Sequence, residues 1–356
     1  MTGKKALIAM SGGVDSSVAA FLMQQQGFNC CGGTLILCDA ALTGRSVSSP
    51  AEDAQAVAQK LGIPFYAFDA RQDFRNQVVE PFVASYEAGL TPNPCIFCNQ
   101  EIKFHLLLEK ALSLDCQYIV TGHYARIRKD EASGRYLLYK APDAQKDQSY
   151  FLAGLTQRQL SHCQFPLGEF TKEQVREIAE EQGFVNARKK DSQDICFIPD
   201  GDYVTFMERY RGKPYPEGKY LDASGKEVGS HKGAVAYTLG QRKGLGLAMG
   251  APVYVCRKDM QANTVTVGPE SMLFATTLIA DNWNFFPFEH LTEPINVTAK
   301  ARYRHTPQPA TVYPMEDGKA KVVFDTPQRA ITPGQAVVLY HGDMVIGGGT
   351  IIEVKK

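Results

Sequence analysis

The sequence predicts an α/β protein: a parallel sheet with helices on both faces, then a mainly β linking module and a C-terminal β-barrel. Over roughly the first 195 residues, short apolar runs alternate with helical stretches, as βαβ units require. Beyond about residue 200, helical periodicity fades. Short alternating runs separated by Gly, Pro, Asn and Asp take over, the pattern of small barrels and sandwiches. Length adds a third indication, since 356 residues suit two or three domains of about 150 residues each. The expected division is an α/β unit over 1–200, a small β-rich module over 201–275 and a terminal barrel over 276–356.

In chain order, "KALIAM" reads as a strand and "VDSSVAAFLMQQQG" as a helix closed by Gly27. "CCGGTLIL" is a second strand. "SPAEDAQAVAQKLG" is a helix with Ser49 as candidate cap, Pro50 at its first position and Gly62 at its end. "IPFYAFDA" is a third strand, "EIKFHLLLEKALSL" a helix, "CQYIVTGHYARI" a fourth strand with a loop, and "TKEQVREIAEEQGF" another helix. The later β runs are "AVAYTLG", "PVYVCRK", "NTVTVG", "INVTAKARYRH", "ATVYPM", "KAKVVFD" and "QAVVLYHGDMVIGGGTIIEV", with a break near "ADNWNFFPFEHLTEP".

Hydrophobic residues make up 44% and charged residues 21%, a globular balance. Lys+Arg and Asp+Glu both count 38, so a polyanion site must be a local basic patch. The apolar run near the start is too short for a signal sequence, and no run approaches the length of a membrane span. The expected home is the cytoplasm, with no membrane partner. There the nine cysteines should be mostly reduced, and spaced pairs read as metal or catalytic groups.

"ALIAMSGGVDSSVAA" is a strand, a glycine turn and a helix start. Gly12 and Gly13 let the backbone approach a ligand, Ser11, Ser16 and Ser17 add hydroxyls, and the helix N-terminus favours an anion. No Gly-Lys-Ser/Thr follows, so this is not a Walker loop. "SGGVDSS" resembles the pyrophosphate-loop motif of the ATP pyrophosphatase superfamily, whose members cleave ATP to activate a substrate as an adenylate.

In "TPNPCIFCNQEIKF", Cys95 and Cys98 stand three apart near a helix start with Asn93 as cap. That spacing puts both sulfurs on one face, and a helix N-terminus lowers thiol pKa. Zinc, a redox dithiol, an iron–sulfur ligand pair and sulfur transfer are all open to such a pair. Zinc needs four ligands, and no second CxxC or HxxxH is present. Cys196 stands in "KKDSQDICFIPDG". Cys30, Cys31, Cys38, Cys116, Cys163 and Cys256 read as packing residues.

"SGGVDSS", "GLTPNPCIFCNQEIKF", "TGHYARI", "KDQSYFL", "FPLGEFTKEQVREIA", "KKDSQDICFIPDG", "GAVAYTLGQRKGLG", "PVYV" and "ARYRH" follow one another in the order of the tRNA-specific 2-thiouridylases, which the chain resembles over nearly its whole length. The resemblance implies ATP-dependent adenylation of the C2 oxygen of the wobble uridine in tRNA, with Mg²⁺, then sulfur delivery from a cysteine persulfide charged by an external sulfur donor. It implies Cys196 as persulfide carrier and Cys98 as partner nucleophile. ATP would be held by Ala9, Met10, Ser11, Gly12, Gly13, Val14, Asp15 and Ser16, with Leu35 and Gly122. Asn93, Pro94 and Cys95 would meet the target base. Lys146, Asp147, Gln148, His123, Arg302, Tyr303 and Gln335 would contact tRNA. "KARYRH", read as a strand, suits phosphate contact and stacking.

One departure stands out: many members carry Asp where this chain has Cys95. Three thiols brought to one pocket could instead hold a [4Fe–4S] cluster. Two other functions are open to the sequence. One is another pyrophosphate-loop adenylating enzyme, which needs neither Cys98 nor Cys196. The other is a non-catalytic RNA-binding protein with a vestigial ATP loop.

Overall fold

The computed structural model describes residues 3–43, 50–189 and 195–355. β1 (Lys5–Ala9) is the middle strand of a five-stranded parallel sheet. Ala6, Leu7 and Ile8 are all fully buried, as a parallel strand covered on both faces requires. Ala6 and Ile8 point to one core, with Val18 and Val57. Leu7 points to the other, with Phe104, Leu107 and Ile119. β2 (Asn29–Ile36), β3 (Phe65–Asp69) and β4 (Tyr118–Val120) follow. The hairpin β5 (Ala125–Lys129) and β6 (Tyr136–Lys140) then intervenes before β7 (Cys163–Gln164). The strand order is β3-β2-β1-β4-β7.

The helices Val14–Gln25, Pro50–Leu61 and Lys172–Glu181 lie where the sequence puts them. Thr171 and Gln174 close a capping box on the last. Ser49, read as a cap, lies outside the described residues. The helix read from "EIKF" begins earlier, as Pro94–Phe97, widens to π geometry over Cys98–Leu106 and returns to α over Leu107–Ser113. A helical stretch that the sequence reading omits runs Arg71–Phe74, Arg75–Val79 (π) and Glu80–Glu87. Pro81, which has no N–H to donate, masks it.

The middle module opens with the helix Tyr203–Arg211. Arg211 forks between Glu80 and Glu87, at 2.8 Å each, and ties the module to the first unit. Its sheet joins β8 (Gly218–Leu221), β9 (Glu227–His231), β10 (Tyr254–Asp259) and β11 (Thr264–Gly268) in the order β10-β11-β8-β9. "AVAYTLG" is no strand but a 3₁₀ turn, Ala234–Ala236, with a loop.

The terminal barrel comprises β12 (Phe274–Phe285), β13 (Ile295–Lys300), β14 (Gln308–Pro314), β15 (Ala320–Arg329), β16 (Ala336–His341) and β17 (Met344–Lys355). They are joined in the order β12-β15-β14-β13-β16-β17, and a β12–β17 pairing closes the ring. The break expected inside "ADNWNF" is a register shift within β12, between Asp281 and Asn284. β6 pairs with β17 through Leu138 and Tyr139 against Val345 and Met344, so the hairpin of the first unit extends the barrel sheet. Among the described residues no helix is long and apolar enough to cross a membrane.

Candidate functional site

From β1 the chain goes to β2 on one side and reaches β4 on the other. The crevice beyond the carboxyl ends of β1 and β4 is therefore a switch point, where open α/β sheets bind ligands. Met10–Gly13 lies there, and Gly122 follows β4. A Cβ on Gly122 would come within 2.8 Å of the Asp15 backbone carbon and 2.9 Å of the Ser16 nitrogen, so only glycine lets the two loops meet. Gly12 takes φ +70°, open to glycine at little cost. Ser16 Oγ donates to the Gly13 carbonyl (3.0 Å) and accepts from Ser11 N–H (3.3 Å). No side chain caps the helix at Gly13, which leaves its first N–H groups for a ligand. Ala9 is half-buried and Ser11 exposed, whereas Met10 and Val14 belong to the core and could meet a nucleotide through backbone alone. Leu35, near the end of β2, packs against both the core that holds Leu7 and the core that holds Cys98.

Three residues that the sequence reading gave no role complete the turn. Lys172 Nζ holds both Asp15 carboxylate oxygens (2.7 and 2.9 Å), and Tyr124 donates its hydroxyl to the same group (2.7 Å). Lys189 Nζ reaches the Gly12 carbonyl (3.4 Å) while paired to Asp53 (2.6 Å). Two cations thus flank the anion-ready turn.

The thiols form a second group. Asn93 caps the cysteine helix as expected, its Oδ1 accepting from Cys95 N–H at 3.2 Å, with Pro94 buried behind it. Cys98 is buried in a core that includes Phe82, Phe197 and Ile198. Cys95 and Cys196 keep accessible surface. Cys196 rides on a turn anchored by Phe197, whose ring meets Phe74, Phe82 and Phe206 at 5.2–5.5 Å. Residues 190–194 of its motif lie outside the description. The expected lowering of the Cys95 and Cys98 pKa values is overturned. Burial pushes both up, as it does Cys196, because protein surrounds even the thiols that touch solvent; Lys103 opposes the rise at all three. Desolvation outweighs the helix end here. The three thiols also raise one another: Cys196 feels Cys98 and Cys95, and Cys98 feels Cys95.

Cys38, read as packing, joins them. It is packed on the core that holds Cys98, and burial, Asp39 and Cys98 push its pKa up to about 12. Among the described residues no group of three Cys, His, Asp or Glu is arranged to hold a metal. Asp15, the carboxylate of the turn, is already engaged by Lys172.

The two groups are joined by His123. It follows Gly122, is hydrogen-bonded through Nδ1 to Thr121 Oγ1 (2.7 Å), and packs its ring at a tilt against Phe104 of the cysteine helix (5.5 Å). Burial, with Lys103 nearby, lowers its pKa to about 3.

The residues matched to tRNA contact divide. Asp147 is held up in pKa by burial and accepts from the Ala141 and Ser149 N–H groups and the Ser149 hydroxyl. Gln148 accepts from Tyr124 N–H (3.0 Å). Both brace the loop that carries half-buried Lys146. Gln335 of the barrel donates to the Thr91 (2.7 Å) and Pro92 (3.3 Å) carbonyls, just before the cap. "ARYRH" is a turn, because β13 ends at Lys300. Tyr303 packs on Phe151 at 4.3 Å. The Arg302 guanidinium binds the Leu239 carbonyl (3.0 Å) and the Thr332 hydroxyl, and Arg304 is the exposed arginine of the turn.

A HUP-type α/β domain with a thiol group beside its switch point, bearing a small β module and a closed barrel, is the class this geometry defines. Residues 4–200 match the tRNA methyl transferase HUP domain, 204–269 the tRNA methyl transferase PRC-barrel domain and 275–351 the aminomethyltransferase beta-barrel domain. The tRNA-specific 2-thiouridylase MnmA of Acetivibrio thermocellus is 48% identical over 99% of this chain and 100% of its own. Those of Clostridioides difficile (47%, 98% of both chains) and Treponema denticola (48%, 99% of both) are similar. The chain belongs to the tRNA-specific 2-thiouridylase family, a family of tRNA sulfurtransferases.

Proposed function

We propose that the enzyme converts the wobble uridine of tRNA to 2-thiouridine, using ATP with Mg²⁺ and a persulfide. The observation that carries this reading is the chain of contacts from the "SGGVDSS" turn through Gly122, His123 and Phe104 to the helix of Cys98, with the turn that bears Cys196 packed beside it through Phe197. Activation and sulfur delivery are thereby adjacent. A cysteine group favours thiolation over the methyl transfer in the domain descriptions.

ATP lies with its phosphates on the helix N-terminus, between Lys172 and Lys189. The uridine C2 oxygen attacks the α-phosphorus and pyrophosphate leaves, which turns a poor leaving group into AMP. An external sulfur donor, a persulfide carrier or desulfurase, charges Cys196 as a persulfide. The Cys98 thiolate attacks the inner sulfur of that persulfide, closing a Cys98–Cys196 disulfide and releasing hydrosulfide. Hydrosulfide attacks C2 and AMP departs. The sulfane sulfur is reduced as the two cysteines are oxidised, and an external thiol reductant restores them. Asn93, Pro94 and Cys95 face the base, and Lys146 and Arg304 serve the tRNA backbone.

Incubation with tRNA, ATP, Mg²⁺ and a persulfide donor should give 2-thiouridine by nucleoside mass spectrometry, with AMP and pyrophosphate as co-products. ADP as product, or no thiolated nucleoside, would overturn the reading. A Cys98→Ala/Cys196→Ala double variant that still thiolates would point to a different adenylating chemistry.

A further inference from the structure

The thiols come from separate segments, but among the described residues one cation serves them. Lys103 is the cation whose charge reaches Cys95, Cys98 and Cys196 alike. Its placement follows from the helix. Cys98–Leu106 is π-helical, and a π turn closes at i→i+5, so Lys103 sits one turn above Cys98 on the same face. Two long-range hydrogen bonds hold that stretch: Asn99 donates to the Phe151 carbonyl (3.1 Å), and Gln159 to the Gln100 carbonyl (2.8 Å). Lys103 is half-buried, and among the described residues no carboxylate pairs with it. On its other side lies His123, whose ring rests on the neighbouring Phe104.

We propose that Lys103 is a positioning residue for sulfur transfer, its ammonium holding the single negative charge that begins on the Cys98 thiolate and ends on hydrosulfide. The inference rests on the roles given to Cys98 and Cys196 above. The need is physical. Burial raises all of these thiols, so the attacking thiolate is scarce near neutrality unless a cation offsets the cost. Among the described residues, the titratable groups facing Lys103 are Cys95 and Cys98 from its own helix, Cys196 from the turn at Phe197, and His123 from the loop after β4. His123 stays neutral, so it neither competes with the ammonium nor replaces it.

The test compares Lys103→Met and Lys103→Arg with the parent chain. Iodoacetamide modification of buried Cys98, followed by peptide mass spectrometry across pH, reads thiolate content through the midpoint of each variant's pH profile. Lys103→Met should slow modification near neutral pH about tenfold, the equivalent of one pKa unit, and displace the profile to higher pH. Arginine should restore most of it. Single-turnover thiolation should fall in parallel, with tRNA affinity unchanged. An unmoved Cys98 profile in Lys103→Met would overturn the proposal. So would weakened tRNA binding with that profile intact, which would make Lys103 a phosphate contact. If methionine disturbs the packing, Lys103→Gln serves instead. The alkylation profile needs no tRNA, so it stands or falls separately from the thiolation assay.

Discussion

Asp15 is one residue with two jobs. It sits in the ligand turn, yet it is also the carboxylate that satisfies Lys172, whose side chain is only 5% exposed. Asp15→Ala should therefore lower stability as well as activity. Removing one member of a buried ion pair costs about 3–5 kcal/mol, and the partial exposure of Asp15 places the loss toward the low end. Urea melts of Asp15→Ala, Lys172→Met and the double variant check this: the double variant should recover most of the stability and none of the ATP turnover. Ser16→Ala should abolish turnover with little change in the melt. His123 gives a pH signature. Its folded pKa of about 3 lies below the ordinary value of about 6.5, so the unfolded chain binds the extra proton between those limits. Its contribution to stability is complete above about pH 6.5 and falls as pH drops, by about 1.4 kcal/mol per unit. Comparing His123→Phe with the parent from pH 5 to 7.5 should show that slope in the parent alone.

The cysteine helix shows what a sequence can and cannot disclose about an element. Its start was legible, because Asn followed by Pro is a cap and first-turn signal that acts through neighbouring backbone. Its π widening was not, because the partners that hold it lie far along the chain: Gln159 donates to the Gln100 carbonyl, and Asn99 of the stretch donates to the Phe151 carbonyl. The thiol pKa direction failed for the same reason: helix ends are local, whereas the burial that wins comes from Phe82, Phe197 and Ile198. Cys38 and Lys172 were invisible as site residues until the fold brought them in. The cap itself is testable. Asn93→Ala should cost about 1 kcal/mol and slow thiolation, while Asn93→Asp should keep the cap and the melting temperature. Loss of thiolation in both variants alike would show that the amide meets the base directly.

At the scale of the whole molecule, the two-part texture of the sequence was enough to read the architecture, since βαβ alternation and period-2 runs are properties of each segment. The proposed RNA-contact residues were less legible: cations near one another in sequence are divided by the fold into buried ties and exposed charges. Arg302→Ala should destabilise the contact between the middle module and the barrel and leave the salt dependence of tRNA binding nearly unchanged. Arg304→Ala should reduce the slope of log K against log salt by about one unit. Filter binding across a salt series separates the two.

The β6–β17 pairing also bears on how the chain is made. Tyr139 meets Met344, so its partner leaves the ribosome 344 − 139 = 205 residues later. At roughly 5–20 residues per second, that is a wait of about 10–40 s, during which the first unit can fold but its hairpin edge stays open. Open strand edges are sites of mispairing between chains. Slow synthesis or a nascent-chain chaperone should thus matter more for this protein than the compactness of its first 200 residues suggests, and chains released before β17 should be the ones that aggregate.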